Sequence, residues 1–308
     1  MKPAQNIYTH PMQPWPALTK FGRLTQLPNS DLTLFCFESN KKSHPHLLMV
    51  HGLGDEADTW RHVFHPFTND FHTLALDLPG FGRSDKPDVV YSPQFLMDSV
   101  IGLMDALNIY NTIIVGSSLG GILAHGLAVA HPERVSGLIL VGGALLQAEQ
   151  IQDRSIQLMQ MPIIGEWLYT RLRKNPDAAY KSLNNVYHRL EKLPKADRDF
   201  LYTRVNQRVW SDGQRRAYFS TLRSLIPWIK SIQEDLPSQL RQLEIPTLIL
   251  RGEYDALFSE TNVDQLLKIQ PNARKSVVKD AGHLPHQEAP ETFLQITQAW
   301  LKDHGLKP

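Results

Sequence analysis

The sequence predicts an α/β protein: a mostly parallel eight-stranded sheet with helices on both faces and a helical cap insertion. Three observations predict it. Short apolar runs alternate with longer amphipathic segments through most of the chain, as expected for strands buried between helices. The stretch Val115-Gly116-Ser117-Ser118-Leu119-Gly120-Gly121 reads as a strand end, a sharp turn and a helix start. From about Leu146 to Asp235 no run resembles a buried strand, and helix-like segments are punctuated by Pro162, Pro176, Pro194 and Pro227. One crossover needs only about a dozen residues, so this stretch is expected to be an insertion over the strand ends.

The elements follow in order. Residues 1–20 hold Pro3, Pro11, Pro14 and Pro16 and are expected to form an extended arm. Arg23 to Leu27 and Leu32 to Glu38 flank the turn signal Pro28-Asn29-Ser30-Asp31, which predicts an antiparallel hairpin. Leu47 to Val50 is a buried strand ending in His51-Gly52-Leu53-Gly54. A short helix is expected over Thr59 to Phe67, N-capped by Asp58. Thr73 to Leu76 is a strand that runs into the loop Asp77-Leu78-Pro79-Gly80-Phe81-Gly82-Arg83-Ser84-Asp85. Ser92 and Pro93 start a helix to about Leu107, with an apolar face at Phe95, Val100, Leu103 and Met104. Thr112 to Val115 is the strand before the elbow, whose helix runs to about Ala130 and stops at His131-Pro132. Val135 to Val141 is the next strand. Beyond the insertion come a strand over Ile245 to Leu250, a helix over Glu260 to Ile269, a last strand over Lys275 to Val278 and a closing helix over Pro290 to Leu301. The expected division is an N-terminal arm (1–20), a core (21–146 and 236–308) and a helical cap (147–235).

The bulk numbers bound the function. With 308 residues, 42% hydrophobic and 20% charged, the chain can bury a large core. A net charge of +1 argues against nucleic acid or an anionic membrane held by bulk electrostatics. The single cysteine, Cys36, excludes a disulfide framework and a cysteine-based zinc cluster, and its apolar setting suggests a buried thiol. No run reaches the ~18 apolar residues of a membrane span, and no signal peptide is recognised, so a cytoplasmic protein is expected. No metal-ligand spacing or dinucleotide fingerprint occurs, so no cofactor or metal is expected.

Chemistry concentrates at strand ends, where parallel sheets place their active residues. Gly116, Ser118 and Gly120 fit G-x-S-x-G, the nucleophile elbow. Ser117 in that role would need glycines where Val115 and Leu119 stand. A serine hydroxyl is a weak nucleophile and needs a base, itself oriented by an acid. His283 follows the last strand and Asp255 the one before it, giving the order Ser118, Asp255, His283.

These residues resemble those of the capped α/β-hydrolases, the group of esterases, C–C hydrolases, epoxide hydrolases and haloalkane dehalogenases. The resemblance rests on His51-Gly52-Leu53-Gly54, Asp77 to Ser84, Gly116 to Gly121, Gly252-Glu253-Tyr254-Asp255 and Gly282-His283-Leu284-Pro285. It covers the core and not the cap. It implies the α/β-hydrolase fold, with Ser118 as nucleophile, His283 as base and Asp255 as acid, and with the backbone amides of Leu53 and Leu119 as oxyanion hole. The implied reaction is cleavage of a small-molecule carboxylic ester through an acyl-enzyme intermediate.

Departures narrow the branch. Epoxide hydrolases and haloalkane dehalogenases carry an aspartate where this chain has Ser118. C–C hydrolases of meta-cleavage products usually carry a tryptophan after the histidine, where this chain has Leu284. The alternatives are such a C–C hydrolase and a non-catalytic ligand receptor on the same fold. Thioesterase, lactonase and perhydrolase chemistry share the machinery. Asp77 reads as a structural loop residue holding backbone amides, and His51 as a support for the oxyanion loop. Glu253 and Asp280 are rivals to Asp255. His125 and His286 read as ordinary polar residues. The arginines of the insertion, including Arg204 and Arg208, read as a solvated helix face.

Overall fold

The computed structural model describes residues 7–28, 30–41, 45–145 and 158–307. The start of the expected arm, Asn29 of the expected hairpin turn and the start of the expected insertion lie outside these residues.

Eight strands form one sheet: β1 (Gly22–Gln26), β2 (Thr33–Glu38), β3 (His46–Val50), β4 (His72–Leu76), β5 (Thr112–Ser117), β6 (Val135–Val141), β7 (Thr247–Gly252) and β8 (Ala273–Val278). Their order is β1-β2-β4-β3-β5-β6-β7-β8. β1 pairs with β2 and β2 with β4 antiparallel, and every other pair is parallel. The predicted hairpin is therefore the antiparallel edge of the sheet, and the elbow strand β5 lies near its middle.

The period of two along each strand divides the core. Leu48, Val50, Ile114, Leu138 and Leu140 face one side, where Leu96, Val100 and Leu103 of α1 (Pro93–Ala106) and Leu123 and Leu127 of α2 (Leu119–Ala130) cover them. Leu47, Met49, Ile113, Val115, Ile139 and Val141 face the other side, against Trp60, Phe64, Phe293 and Trp300. Ser92 caps α1 by accepting from the Phe95 amide, as its sequence suggests.

Residues 158–242 are helical: α3 (Ile164–Arg171), a single turn over Pro176–Lys181, α4 (Lys195–Trp210), α5 (Asp212–Ile232) and α6 (Leu236–Gln242), with short 3-10 turns between them. α4 and α5 reach the loops that follow β3 and β4. After β7 come α7 (Glu260–Ile269), β8 and the closing α8 (Pro290–Asp303). Among the described residues no helix is long and apolar enough to cross a membrane. Cys36 is buried, and burial pushes its thiol up to about 12.

Two local expectations fail. The helix drawn over Thr59 to Phe67 is a 3-10 turn, Ala57–Trp60, followed by one α turn, Phe64–Phe67. Asp58 caps neither. Its carboxylate accepts from the Trp15 amide at 2.6 Å and meets Arg83 at 2.6 Å, and tertiary partners outbid the local cap. The arm is also more than extended chain. Pro16–Phe21 forms a 3-10 helix that buries Leu18, because Pro16 starts the turn and Leu18 supplies an apolar anchor.

Candidate active site

Ser118 stands between β5 and α2 with φ 53° and ψ −117°. A left-handed backbone costs a non-glycine residue about 1–3 kcal/mol, and it turns the side chain out from the strand end. Two glycines permit that turn. A Cβ at Gly116 would lie 2.2 Å from the Gly120 carbonyl oxygen, and one at Gly120 would lie 2.2 Å from that of Val50. Helix α2 can therefore approach β3 and β5 only with bare backbone at those two points.

His283 lies in the loop after β8 and Asp255 in the loop after β7. The imidazole Nδ1 is 3.0 Å from each Asp255 carboxylate oxygen. An ionised carboxylate only accepts, so Nδ1 carries the proton and Nε2 keeps its lone pair. His283 Nε2 is buried and has no protein partner among the described residues. Asp255 Oδ1 also accepts the Leu257 and Phe258 amides, at 2.9 and 3.0 Å. Gly142 and Gly143, after β6, lie against the histidine and the serine respectively. A Cβ at Gly142 would lie 3.0 Å from His283 Nδ1, and one at Gly143 would lie 2.7 Å from Ser118 Cα. The Ser118 hydroxyl makes no hydrogen bond to His283 Nε2. Unliganded sites often hold this contact long.

The rivals of Asp255 are engaged elsewhere. Glu253 accepts the Asp280 amide at 3.1 Å, and Asp280 pairs with Arg189 at 3.2 Å.

The loop after β3 closes the other side. A Cβ at Gly52 would lie 3.1 Å from Ser118 Cβ, which puts the loop against the elbow. Among the described residues neither the Leu53 nor the Leu119 amide donates to a protein acceptor. His51 ties the loop down. Its Nε2 accepts the Leu78 amide at 2.9 Å, so its Nδ1 carries the proton and donates to the Gly52 carbonyl at 2.7 Å. Asp77 accepts from the Ala57 and Arg83 amides, at 2.7 Å each. Burial opposes its charge, but the adjacent Arg83 guanidinium and these bonds hold its carboxyl below the usual carboxylate range. Both residues sit where the sequence placed them, as loop supports. His125 and His286 are buried. Burial lowers both rings, that of His125 to about 4, so they stay neutral.

The arginines of the insertion correct the sequence reading. Arg204 is only 2% exposed and meets Glu56 at 3.1 Å and Asp58 at 3.6 Å. Arg208, one helical turn on, grips Glu56 at 2.7 Å and also pairs with Asp55. Both therefore point into the molecule, because Asp55, Glu56 and Asp58 form an acidic ledge after the His51-Gly52 loop. Burial opposes the charge of Glu56, and Arg208 and Arg204 together outweigh it and lower its pKa. Gln214 of α5 adds a second brace, donating to the Gly54 carbonyl at 3.2 Å and accepting from the Gly82 amide at 3.3 Å. Tyr218 packs on Gly54 from the same helix. Around the histidine, Arg251 donates to the carbonyls of Phe258 and Asp255, and Glu288 accepts the amides of Gly282 and His188 at 2.8 Å each. Sequence reasoning missed all of these. The readable signal was the acidic cluster Asp55-Glu56-x-Asp58 opposite arginines spaced i, i+4.

Among the described residues no cluster of three or more His, Cys, Asp or Glu is placed to hold a metal ion.

Comparison with known proteins agrees with this architecture. Residues 45–290 match the family model described as alpha/beta hydrolase fold. The chain is 25% identical over 299 residues to epoxide hydrolase 3 of Xenopus tropicalis, covering 91% of this chain and 78% of that one. It is 27% identical over 262 residues to 2-hydroxy-6-oxo-6-(2'-aminophenyl)hexa-2,4-dienoic acid hydrolase of Metapseudomonas resinovorans, covering 83% of each. Among solved structures, Cfl2 of Burkholderia cenocepacia superposes with a TM-score of 0.80 at 21% identity, over 94% of this chain and 99% of that one.

Proposed function

From the premise that the chain belongs to the alpha/beta hydrolase fold family, we propose that it is a serine hydrolase cleaving carboxylic esters through an acyl-enzyme intermediate. The observation that carries the reading is the pairing of His283 Nδ1 with Asp255, which leaves Nε2 without a protein partner among the described residues, together with the left-handed backbone of Ser118 at the G-x-S-x-G turn.

Ser118 Oγ attacks the ester carbonyl as His283 Nε2 takes its proton. The carbonyl oxygen becomes an oxyanion held by the Leu53 and Leu119 amides. Two such donors, fixed before the reaction, are each worth about 3 kcal/mol of transition-state stabilisation. The imidazolium returns its proton to the leaving alcohol, and an acyl-Ser118 remains. His283 then draws a proton from water, the hydroxide oxygen attacks the acyl carbon, and Ser118 leaves with that proton. Asp255 stays ionised and fixes the ring tautomer. Residues 147–235 act as the cap that closes the pocket over the strand ends, and the protein works in the cytoplasm.

The elbow residue argues against epoxide opening, despite the likeness to an epoxide hydrolase. A carboxylate nucleophile gives an alkyl ester that water can hydrolyse at its carbonyl. A serine would give an ether with no carbonyl to attack. The 27% identity to a C–C hydrolase supports a second reading, cleavage of a vinylogous diketone by the same three residues. Leu284 weighs against it: this side chain is buried with Tyr187, Leu190 and Leu193.

The test is turnover of p-nitrophenyl butyrate and of a ring-fission dienoate by the wild type and Ser118→Ala. Ester turnover that vanishes in the variant supports the proposal. Faster turnover of the dienoate selects the second reading, and undiminished turnover in the variant overturns both. Turnover barely above background with either substrate favours a ligand receptor.

A further inference from the structure

Five large apolar side chains stand exposed within ten residues of the insertion: Leu158, Met161, Ile163, Ile164 and Trp167. Ile163 is the extreme case, 82% exposed, with φ 70°. A β-branched residue in left-handed backbone is a genuine outlier, and such strain persists where the surroundings impose it. Here it makes the apex of a tight turn, with the Ile164 amide bonded to the Pro162 carbonyl and that of Gly165 to Met161.

The inner face of α3 is occupied. Gly165 and Tyr169 pack on Phe219, and Glu166 pairs with Arg223 at 2.6 Å. The outer face is graded along its length. Ile163 and Ile164 stand at the tip, Trp167 lies one turn on, Arg171 follows with its guanidinium 4.3 Å from the Trp167 ring, and Lys174 comes next. Arg171, Lys174 and Lys181 are exposed, and no carboxylate reaches them among the described residues. The acids nearby are engaged: Glu166 by Arg223, and Asp177 by the Tyr202 hydroxyl at 3.0 Å.

Polarity that changes along a helix axis, instead of around it, matches a boundary crossed end-on. At ~1.5 Å per residue, Arg171 stands about 10 Å from the apolar tip. That is about the depth to which an apolar protein surface enters the zone between acyl chains and headgroups. Tryptophan prefers the interfacial level, and arginine and lysine extend toward phosphate. We infer that residues 158–174 form a docking tip for an anionic lipid surface, with Ile163 and Ile164 inserted, Trp167 at the interface and Arg171 and Lys174 on the headgroups. The net charge of +1 does not oppose this, because the attraction is local. α3 also packs on Tyr218, which touches Gly54, so a docked tip would present membrane-borne esters to the pocket. That last consequence rests on the proposed esterase reading; the docking does not.

Sedimentation with sucrose-loaded vesicles tests it. Vesicles of phosphatidylcholine alone are compared with vesicles containing about a third phosphatidylglycerol. The wild type should partition onto the anionic vesicles, less so in high salt, and Ile163→Asp and Trp167→Ala should each weaken partition at least about tenfold. Turnover of p-nitrophenyl butyrate in lipid-free buffer should be unchanged in both variants, which shows that they fold. Equal binding by wild type and Ile163→Asp, or no binding by the wild type, overturns the inference. So does a lipid-free dimer that Ile163→Asp dissolves, since a second copy would then cover the tip. Vesicle binding without any ester turnover would refute the esterase reading and leave the docking tip standing.

Discussion

Replacing Arg208 by methionine keeps the length of the side chain and removes its charge. The consequence follows from the geometry. Glu56 is fully buried and, among the described residues, retains Arg204 alone as a cationic partner, at 3.1 Å. Breaking a buried pair from one side costs about 3–5 kcal/mol, and the surviving arginine places this case near the low end, about 3 kcal/mol. The loss should depend on pH. In the wild type the Glu56 carboxyl titrates below its unfolded value, so its stabilisation is complete above ~4.3 and fades as pH falls through the folded value. Without Arg208, burial dominates and raises the folded value above the unfolded one. The penalty is then present at higher pH and disappears on acidification. The stability gap between wild type and Arg208→Met should therefore be wide at pH 8 and should narrow as pH falls to about 4. Urea unfolding followed by tryptophan fluorescence at both pH values measures it. Glu56→Gln in the Arg208→Met background should recover part of the loss. A gap that stays constant with pH, with no recovery in the double variant, would show that Arg208 does not hold Glu56 ionised. In the folded variant, kcat for an ester should fall by about 10–100-fold with little change in KM, because the loop carrying the Leu53 amide loses its brace.

Two further outcomes are expected. Asp255→Asn should preserve the fold and lower kcat by about 10⁴-fold, as the amide holds the wrong imidazole tautomer; turnover against pH for both proteins checks this. Cys36 should resist a thiol reagent such as dithionitrobenzoate in the native state, since it is buried and its thiol is pushed up to about 12, and should react fully once urea unfolds the chain.

Much of the fold was legible because its signals are local. Alternation in Leu47-Leu48-Met49-Val50 and Ile113-Ile114-Val115 splits between the two faces of the sheet, and Ser92-Pro93 starts α1 where a cap and a first-turn proline should. Ser118, Asp255 and His283 were legible as strand-end residues, and the structure brings Asp255 and His283 into contact. Asp58 was misread because an aspartate before a helix pattern has the chemistry of a cap. Its real partners, Trp15 and Arg83, lie far away in sequence. Arg204 and Arg208 were misread for the same reason. A charged residue on a helix is read as solvated unless its partner is known, and the partner of Arg208 is 152 residues away. Exposure of the apolar tip at Ile163 was equally invisible, since an isoleucine beside Ile164 reads as core until α3 is seen packing its other face on α5.

The proposed mechanism requires that Ser118 become covalently acylated with His283 and Asp255 behind it. The most direct measurement is intact-mass and peptide analysis after treatment with a fluorophosphonate, which reports an activated serine without requiring the natural substrate. One adduct per chain is expected, on Ser118, forming rapidly in the wild type, far more slowly in His283→Ala and not at all in Ser118→Ala. Labelling of another residue, or equal labelling rates in wild type and His283→Ala, would contradict it.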